Sequence, residues 1–148
     1  MLTFLGASRQ KMDDRGRFHL PVRWAQQVAE AGELVLTAGP NGSLLLLDRP
    51  TWEETARRIG SDLLCGDRRR WLRALFVGHA EFVAPDKNNR ILITDALRGY
   101  AGLRDLNSVF LMGSGEVIEI WSQAKWDEEA GAALSADQLF ELRDDSGS

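Results

Sequence analysis

One cysteine, Cys65, and two histidines, His19 and His79, are all that this 148-residue chain carries of the side chains most used for metals, disulfides and nucleophiles. A lone cysteine excludes an internal disulfide framework and a multi-cysteine zinc site, and it suits a reducing cytosol. Cys/His nucleophilic catalysis has no support in the spacing of these residues, so no enzyme, metal, cofactor or small-molecule substrate is expected. His79, in "VGHAEF", is expected to satisfy a buried backbone group. Nothing in the sequence approaches the roughly 18 to 20 apolar residues of a membrane span. The start "MLTFLGASRQKMDD" also lacks a charged segment followed by a long apolar one, so the expected chain is soluble and intracellular, with no membrane partner.

Excess positive charge is missing too, since the net charge is -4. That argues against a sequence-blind coat on nucleic acid but says nothing of where charge sits. It is in fact segregated. Residues 1–24 hold Arg9, Lys11, Arg15, Arg17 and Arg23 against Asp13 and Asp14, a net of +3. Residues 123–148 hold two basic residues against seven acidic ones, a net of -5.

What is present is a chain that should fold, with 44% apolar residues. "GRFHLPV" alternates Phe18, Leu20 and Val22 on one side with Arg17 and His19 on the other, the period of a half-buried strand, and Pro21 places it at an edge or near its end. "ELVLTAGPNGSLLLLD" reads as a hairpin around Gly39-Pro40-Asn41-Gly42, where Asn and Gly tolerate positive φ. "DRPTWEETARRIGSD" reads as a helix with Thr51 as N-cap and Glu53 and Glu54 in the first turn. A second helix, "DRRRWLRALFVG", is punctuated by Gly78. Trp71, Leu72, Leu75 and Phe76 within it are spaced as a core stripe with an arginine face, although a basic amphipathic helix for membranes or DNA has the same pattern.

The pattern then restarts. "RILIT" is a strand with Ile91 and Ile93 on one face, "SVFLMGSGEVIEIW" a hairpin around Gly113-Ser114-Gly115, and "SQAKWDEE" a helix start. Asp86 follows Asp13 by 73 positions and Trp126 follows Trp52 by 74. A register kept that closely predicts a tandem duplication of a strand-turn-strand-helix module, with a helix between copies and an acidic, mobile tail from about Gly131.

Each copy carries Asp-x-x-x-Arg across a turn, Asp13 to Arg17 and Asp86 to Arg90. Gly16 can take a left-handed conformation, and Asn89, the next best residue for it, stands in the same place. The aspartate can accept backbone N–H groups and also hold the guanidinium in a fixed fork. A pinned planar cation at a turn tip suits phosphate or a guanine edge; alternatively, the pair only ties the turn together. Asp13 and Asp14 are adjacent and point apart, which favours a solvated turn over a shared metal or proton.

"DDRGRFHLP", "LFVGHAEF", "DKNNRILI", "LRGYAGL" and "IEIWSQAKWDEE" resemble, in order and spacing, the corresponding segments of the MraZ family, bacterial regulators associated with the division and cell-wall gene cluster. The resemblance runs from about Phe4 to Glu129. It implies an α+β, mainly β fold in which two AbrB-type swapped-hairpin halves form a duplicated barrel with flanking helices. The implied halves are residues 1–56 and 79–130, joined by helices over 57–78 and followed by the acidic tail 131–148. It further implies a ring-shaped homo-oligomer, cytoplasmic and nucleoid-associated, that binds double-stranded DNA at short tandem repeats. The family's DNA-contacting arginine maps onto Arg17, with Arg15 in the usual lysine position. The candidate contact set is therefore Asp13, Arg15 and Arg17 with Asp86, Lys87 and Arg90, although "KNN" departs from the glycine-containing turn of the family. Two other readings stand beside this one: a ring-forming protein-interaction scaffold using its acidic tail, and a short AbrB-type antitoxin. The duplication opposes the latter, because such antitoxins build one barrel from two chains.

Overall fold

The computed structural model describes residues 3–60 and 66–133; Cys65 and most of the acidic tail, 134–148, lie outside the described residues. In the first copy β1 (Phe4–Lys11), β2 (Arg17–His19), α1 (Val22–Ala31), β3 (Leu34–Ala38), β4 (Leu44–Asp48) and α2 (Arg49–Ile59) follow one another. After α3 (Asp67–Phe76) the same order returns as β5 (Glu81–Val83), β6 (Arg90–Leu92), α4 (Asp95–Tyr100), β7 (Ser108–Gly115), β8 (Ile118–Trp121) and α5 (Gln123–Ala133). The duplicated unit thus contains one helix more than the sequence pattern predicts. Pro21 explains the difference: lacking an N–H, it serves as the N-cap of α1 rather than extending β2. Val22 accordingly turns outward, 72% exposed, while Trp24, Ala25 and Val28 are buried one helical turn apart.

Two further local expectations are corrected. Asp48, not Thr51, caps α2: its carboxylate accepts the Thr51 N–H at 2.8 Å, which places Glu53 and Glu54 beyond the first turn. In the second hairpin Gly113, Ser114 and Gly115 belong to β7 because they pair with β1, and the reversal falls at Glu116 and Val117, with Ser114 N donating to Val117 O at 3.0 Å. The first hairpin is as expected, with Asn41 at φ 58° and Gly42 at φ 81°. α5 continues through Gly131 to Ala133, so helix replaces the first residues assigned to the tail.

Six strands form one antiparallel sheet in the order β1-β7-β8-β4-β3-β5, and β2 with β6 makes a separate two-stranded ribbon. Every duplicated pair is related to its counterpart by exchange: β1 of the first copy lies on β7 of the second, β5 of the second lies on β3 of the first, and β4 and β8 join the copies at the centre. The fold is α+β with a large open antiparallel sheet. A closed barrel is not formed by the described strands: the β2–β6 ribbon stays a separate sheet, meeting the β1 edge through a single antiparallel bridge, Met12 to Phe18, just past the end of β1. Phe4, Phe18, Leu36, Leu46, Ile91 and Ile120, all under 2% exposed, come from both copies and share one core. Each such side chain contributes about 1.5–3 kcal/mol relative to exposure.

α3 meets the sheet only through its C-terminal end. Thr37 Oγ1 and Trp52 Nε1 both donate to Phe76 O, at 2.7 and 3.1 Å, and the Trp52 and Phe76 rings stack at 6.2 Å. Phe76 is buried, but Trp71 and Leu72 are 61% and 49% exposed, so the expected core stripe is reduced to that end of the helix. His79 differs from expectation as well: it is half-buried and stacks on Tyr100. Among the described residues no helix is long and apolar enough to cross a membrane.

Candidate nucleic-acid interface

The two Asp-x-x-x-Arg turns are built alike, bond for bond. In the first, Asp13 N donates to Arg17 O at 2.9 Å and Gly16 N to Asp13 O at 3.0 Å, closing the turn. Asp13 Oδ1 accepts the N–H groups of Arg15 and Arg17 at 3.0 and 2.9 Å, and Oδ2 accepts Arg17 Nε at 2.8 Å. In the second, Asp86 closes the turn with Arg90 and Asn89 at 2.9 Å each. Its Oδ1 accepts Asn88 N and Arg90 N at 2.8 and 2.9 Å, and its Oδ2 accepts Arg90 Nε at 2.9 Å. Gly16 at φ 91° and Asn89 at φ 58° supply the left-handed residue that each turn needs.

These bonds act on the ionisation of the aspartates. The backbone N–H of Arg17 is the main reason that the Asp13 carboxyl lies below its ordinary value, with partial desolvation opposing and the Arg17 side chain and Arg15 N–H adding to the shift. Asp86 is lowered in the same way, first by the Arg90 backbone N–H. Both carboxylates therefore stay charged and keep their arginines in place throughout the neutral range.

The geometry also decides which edge of each arginine is offered. Nε is committed to the aspartate, and no ion pair within the described residues involves the terminal nitrogens of Arg17 or Arg90. A guanidinium held at Nε presents its two terminal N–H groups as a fixed fork, the shape that matches two phosphate oxygens or the O6/N7 edge of guanine. At 28% and 25% side-chain exposure the two arginines are oriented yet reachable.

The β2–β6 ribbon brings the turns together. Its register sets Arg17 opposite Leu92, Phe18 opposite Ile91 and His19 opposite Arg90. Phe18 and Ile91 are fully buried, so the alternate positions Arg17, His19, Arg90 and Leu92 share the other face, with the arginines on a diagonal. Arg15 and Lys87 are exposed at the turn tips, with no side-chain partner among the described residues. Asp14 is exposed, whereas Asp13 is half-buried with both carboxylate oxygens committed to Arg15 and Arg17.

All six predicted site residues thus fall on the ribbon and its two turns. The alternation in the sequence already set His19 on the same side as Arg17, but it did not point to Leu92 as part of this face or to Arg98 of α4. A Cβ added to Gly16 would lie 2.7 Å from Arg98 Nε, so this side chain sits directly under the first turn. The signal for it was weak, because the duplicate of Arg98, 73 positions earlier, is Ala25.

The family model described as MraZ protein, antitoxin-like, matches residues 3–73 and 76–143 of the chain. The chain is 35% identical over 134 residues to a protein of Nitrosomonas europaea named "Transcriptional regulator MraZ", with 89% of each sequence covered. It is 37% identical over 139 residues to the protein of that name from Dechloromonas aromatica, covering 90% of this chain and 93% of the relative. A third relative of the same name, from Roseiflexus castenholzii, is 33% identical over 145 residues, with 95% and 99% covered.

Proposed function

The chain belongs to the MraZ family, and from that premise we propose that it is a sequence-specific DNA-binding transcriptional regulator whose paired turns read short tandem repeats upstream of the division and cell-wall gene cluster. The observation that carries this reading is the pair of forks. Each arginine is held through Nε alone, at 2.8 and 2.9 Å, with its terminal edge free on one face of the ribbon. A turn built only to tie itself together has no need to leave that edge open. Arg15 and Lys87 at the turn tips add phosphate contacts that position without specifying.

The exchanged strands support a swapped-hairpin arrangement of halves 1–56 and 79–130, joined through 57–78 and followed by the tail 131–148. The assembly is a ring, in which a turn from each copy meets a successive repeat and weak contacts add through effective concentration. The protein acts in the cytoplasm, at the nucleoid. No step of this function calls for catalysis.

A gel shift on DNA upstream of the chain's own coding sequence, cut to one, two or four repeats, tests the reading. Losing one arginine-to-guanine contact costs about 1–3 kcal/mol, and the loss recurs at each engaged copy. Arg17→Ala is expected to lose nearly all binding to four repeats while the oligomer stays intact. Parent-like binding by this variant would sink the DNA reading. A particle of about 16.5 kDa in light scattering would exclude the ring. Failure to retain DNA even at low salt would favour the protein-interaction scaffold instead.

A further inference from the structure

The two turns have the same bonds but different floors. A Cβ at Gly16 would lie 2.6 Å from Ile93 O, 2.7 Å from Arg98 Nε and 2.9 Å from Arg98 Cζ. Real Cβ atoms do not approach that closely, so the space under the first turn is filled by the Arg98 guanidinium. Gly16 is correspondingly buried, whereas Asn89 in the second turn is exposed. At the matching place on α1 stands Ala25, which has no chain long enough to do the same.

Arg98 is expensive in this position. Its Nε is shielded from solvent and has no hydrogen-bond partner among the described residues. The guanidinium borders a cleft of about 470 Å³ with Met12, Asp13, Asp14, Asp105 and Asn107, yet it forms no ion pair with these aspartates. A buried donor left unpaired is destabilising, and such a group persists where something other than local stability holds it. Charge gives a second reason. The first turn carries Asp13, Asp14, Arg15 and Arg17 and is neutral, while the second carries Asp86, Lys87 and Arg90 and is +1; Arg98 brings the first to the same value.

We propose that Arg98 is a positioning residue for Arg17: from the second half of the chain it underlies Gly16, fixes the first turn in the conformation that presents the Arg17 fork, and makes this turn the stronger of the two DNA contacts. The inference rests on the turns being the DNA contacts. Arg98 acts through Arg17 and touches no DNA itself.

A double-mutant cycle separates the possibilities. Arg98→Met keeps a long flexible chain under Gly16 without the planar cation, and Arg17→Lys keeps charge and measurable binding without the fork. The probe is a duplex spanning the region upstream of the chain's own coding sequence, titrated at several salt concentrations with melting temperature and particle size as controls. In the parent, Arg98→Met is expected to weaken binding by about tenfold, with an unchanged salt slope. In the Arg17→Lys background it is expected to have no further effect. Equal losses in both backgrounds, with a slope shallower by about 0.9, would make Arg98 a phosphate contact and overturn the proposal. Full affinity for Arg98→Met would overturn it too. If Arg98→Met does not fold, Arg98→Lys takes its place in the cycle, with a smaller loss expected and the same dependence on Arg17. If Arg17→Ala binds like the parent, the DNA-contact reading fails; if only Arg98→Met does, that reading stands and the positioning role falls.

Discussion

Replacing Asp13 by asparagine removes one pin and leaves the rest of the turn in place. The asparagine oxygen can still accept the Arg15 and Arg17 N–H groups that Oδ1 receives at 3.0 and 2.9 Å. Its NH2 group, however, replaces the Oδ2 that holds Arg17 Nε at 2.8 Å, so two donors face each other and the guanidinium swings free. For a pair whose side chains are 28% and 31% exposed, losing the charge-assisted bond costs about 1 kcal/mol after solvent screening. A second effect opposes this, because asparagine also removes a negative charge from a surface that phosphates approach. At a separation of about 7 Å in water that repulsion is about 0.6 kcal/mol, and it falls to about 0.2–0.3 kcal/mol at 0.15 M salt. The pin therefore decides the outcome at 0.15 M, where affinity should fall roughly three- to fivefold per engaged turn. At low salt the two effects draw together and the deficit shrinks. Fluorescence anisotropy titrations of a labelled repeat duplex at the two ionic strengths, with thermal melts as control, measure this. Binding at 0.15 M salt as tight as that of the parent would refute the claim that the aspartate pre-orients the arginine.

Acid should loosen both turns late. The carboxyls of Asp13 and Asp86 have folded pKa values below the ordinary 3.8, so their contribution is complete above that value and is lost as pH falls through the lower folded one. The melting-temperature gap between parent and Asp13→Asn is expected to stay level from about pH 7 to 5 and to close only below the ordinary carboxylate range. Gly113→Ala would push a Cβ to 2.6 Å from Phe4 C and 2.7 Å from Leu5 N; because these are backbone atoms, the β1–β7 pairing should weaken, lowering stability by about 1–3 kcal/mol in chemical denaturation. Arg15→Ala and Lys87→Ala should each reduce the salt slope of DNA binding by about 0.9 without changing which sequence is preferred. Arg90→Ala should weaken repeat binding less than Arg17→Ala in the same titration, since the second turn has no arginine beneath it.

The residues that state their role locally were legible in the sequence. Asp13 and Arg17, Asp86 and Arg90, Asn41 and Gly42 all act within a few positions of themselves, and the structure places them as turn chemistry predicts. The helix α1 was also signalled, by Pro21 before it, Trp24 and Val28 four apart, and Gly32 after it. The alternation of Phe18, Leu20 and Val22 masked that signal, since three apolar residues fit a strand period as well as they fit a strand followed by a helix start. The hairpin pairings of β3 with β4 and of β7 with β8 were legible from their turns, but the strand partners that cross between the copies were not. β1 shows one buried residue, Phe4, among mostly exposed neighbours, and nothing in its composition points to β7. Arg98 was hidden for a different reason: comparing the two copies highlights positions that match, and Arg98 matters where they do not.

The strand exchange also imposes a timetable on synthesis. β5 finds β3 already made and can pair as soon as it appears, but β1 has to wait for β7, and Ser108 follows Lys11 by 97 residues. At about 5–20 residues per second the first strand is without its partner for roughly 5–20 seconds. During that interval it is an open edge on a nascent chain, close to other copies emerging from the same message. Arg9 and Lys11, which follow Leu5 and Ala7 on the exposed face, are features that discourage such an edge from pairing with a neighbour. A ribosome halted before Ser108 would hold a chain whose first strand has no place to go.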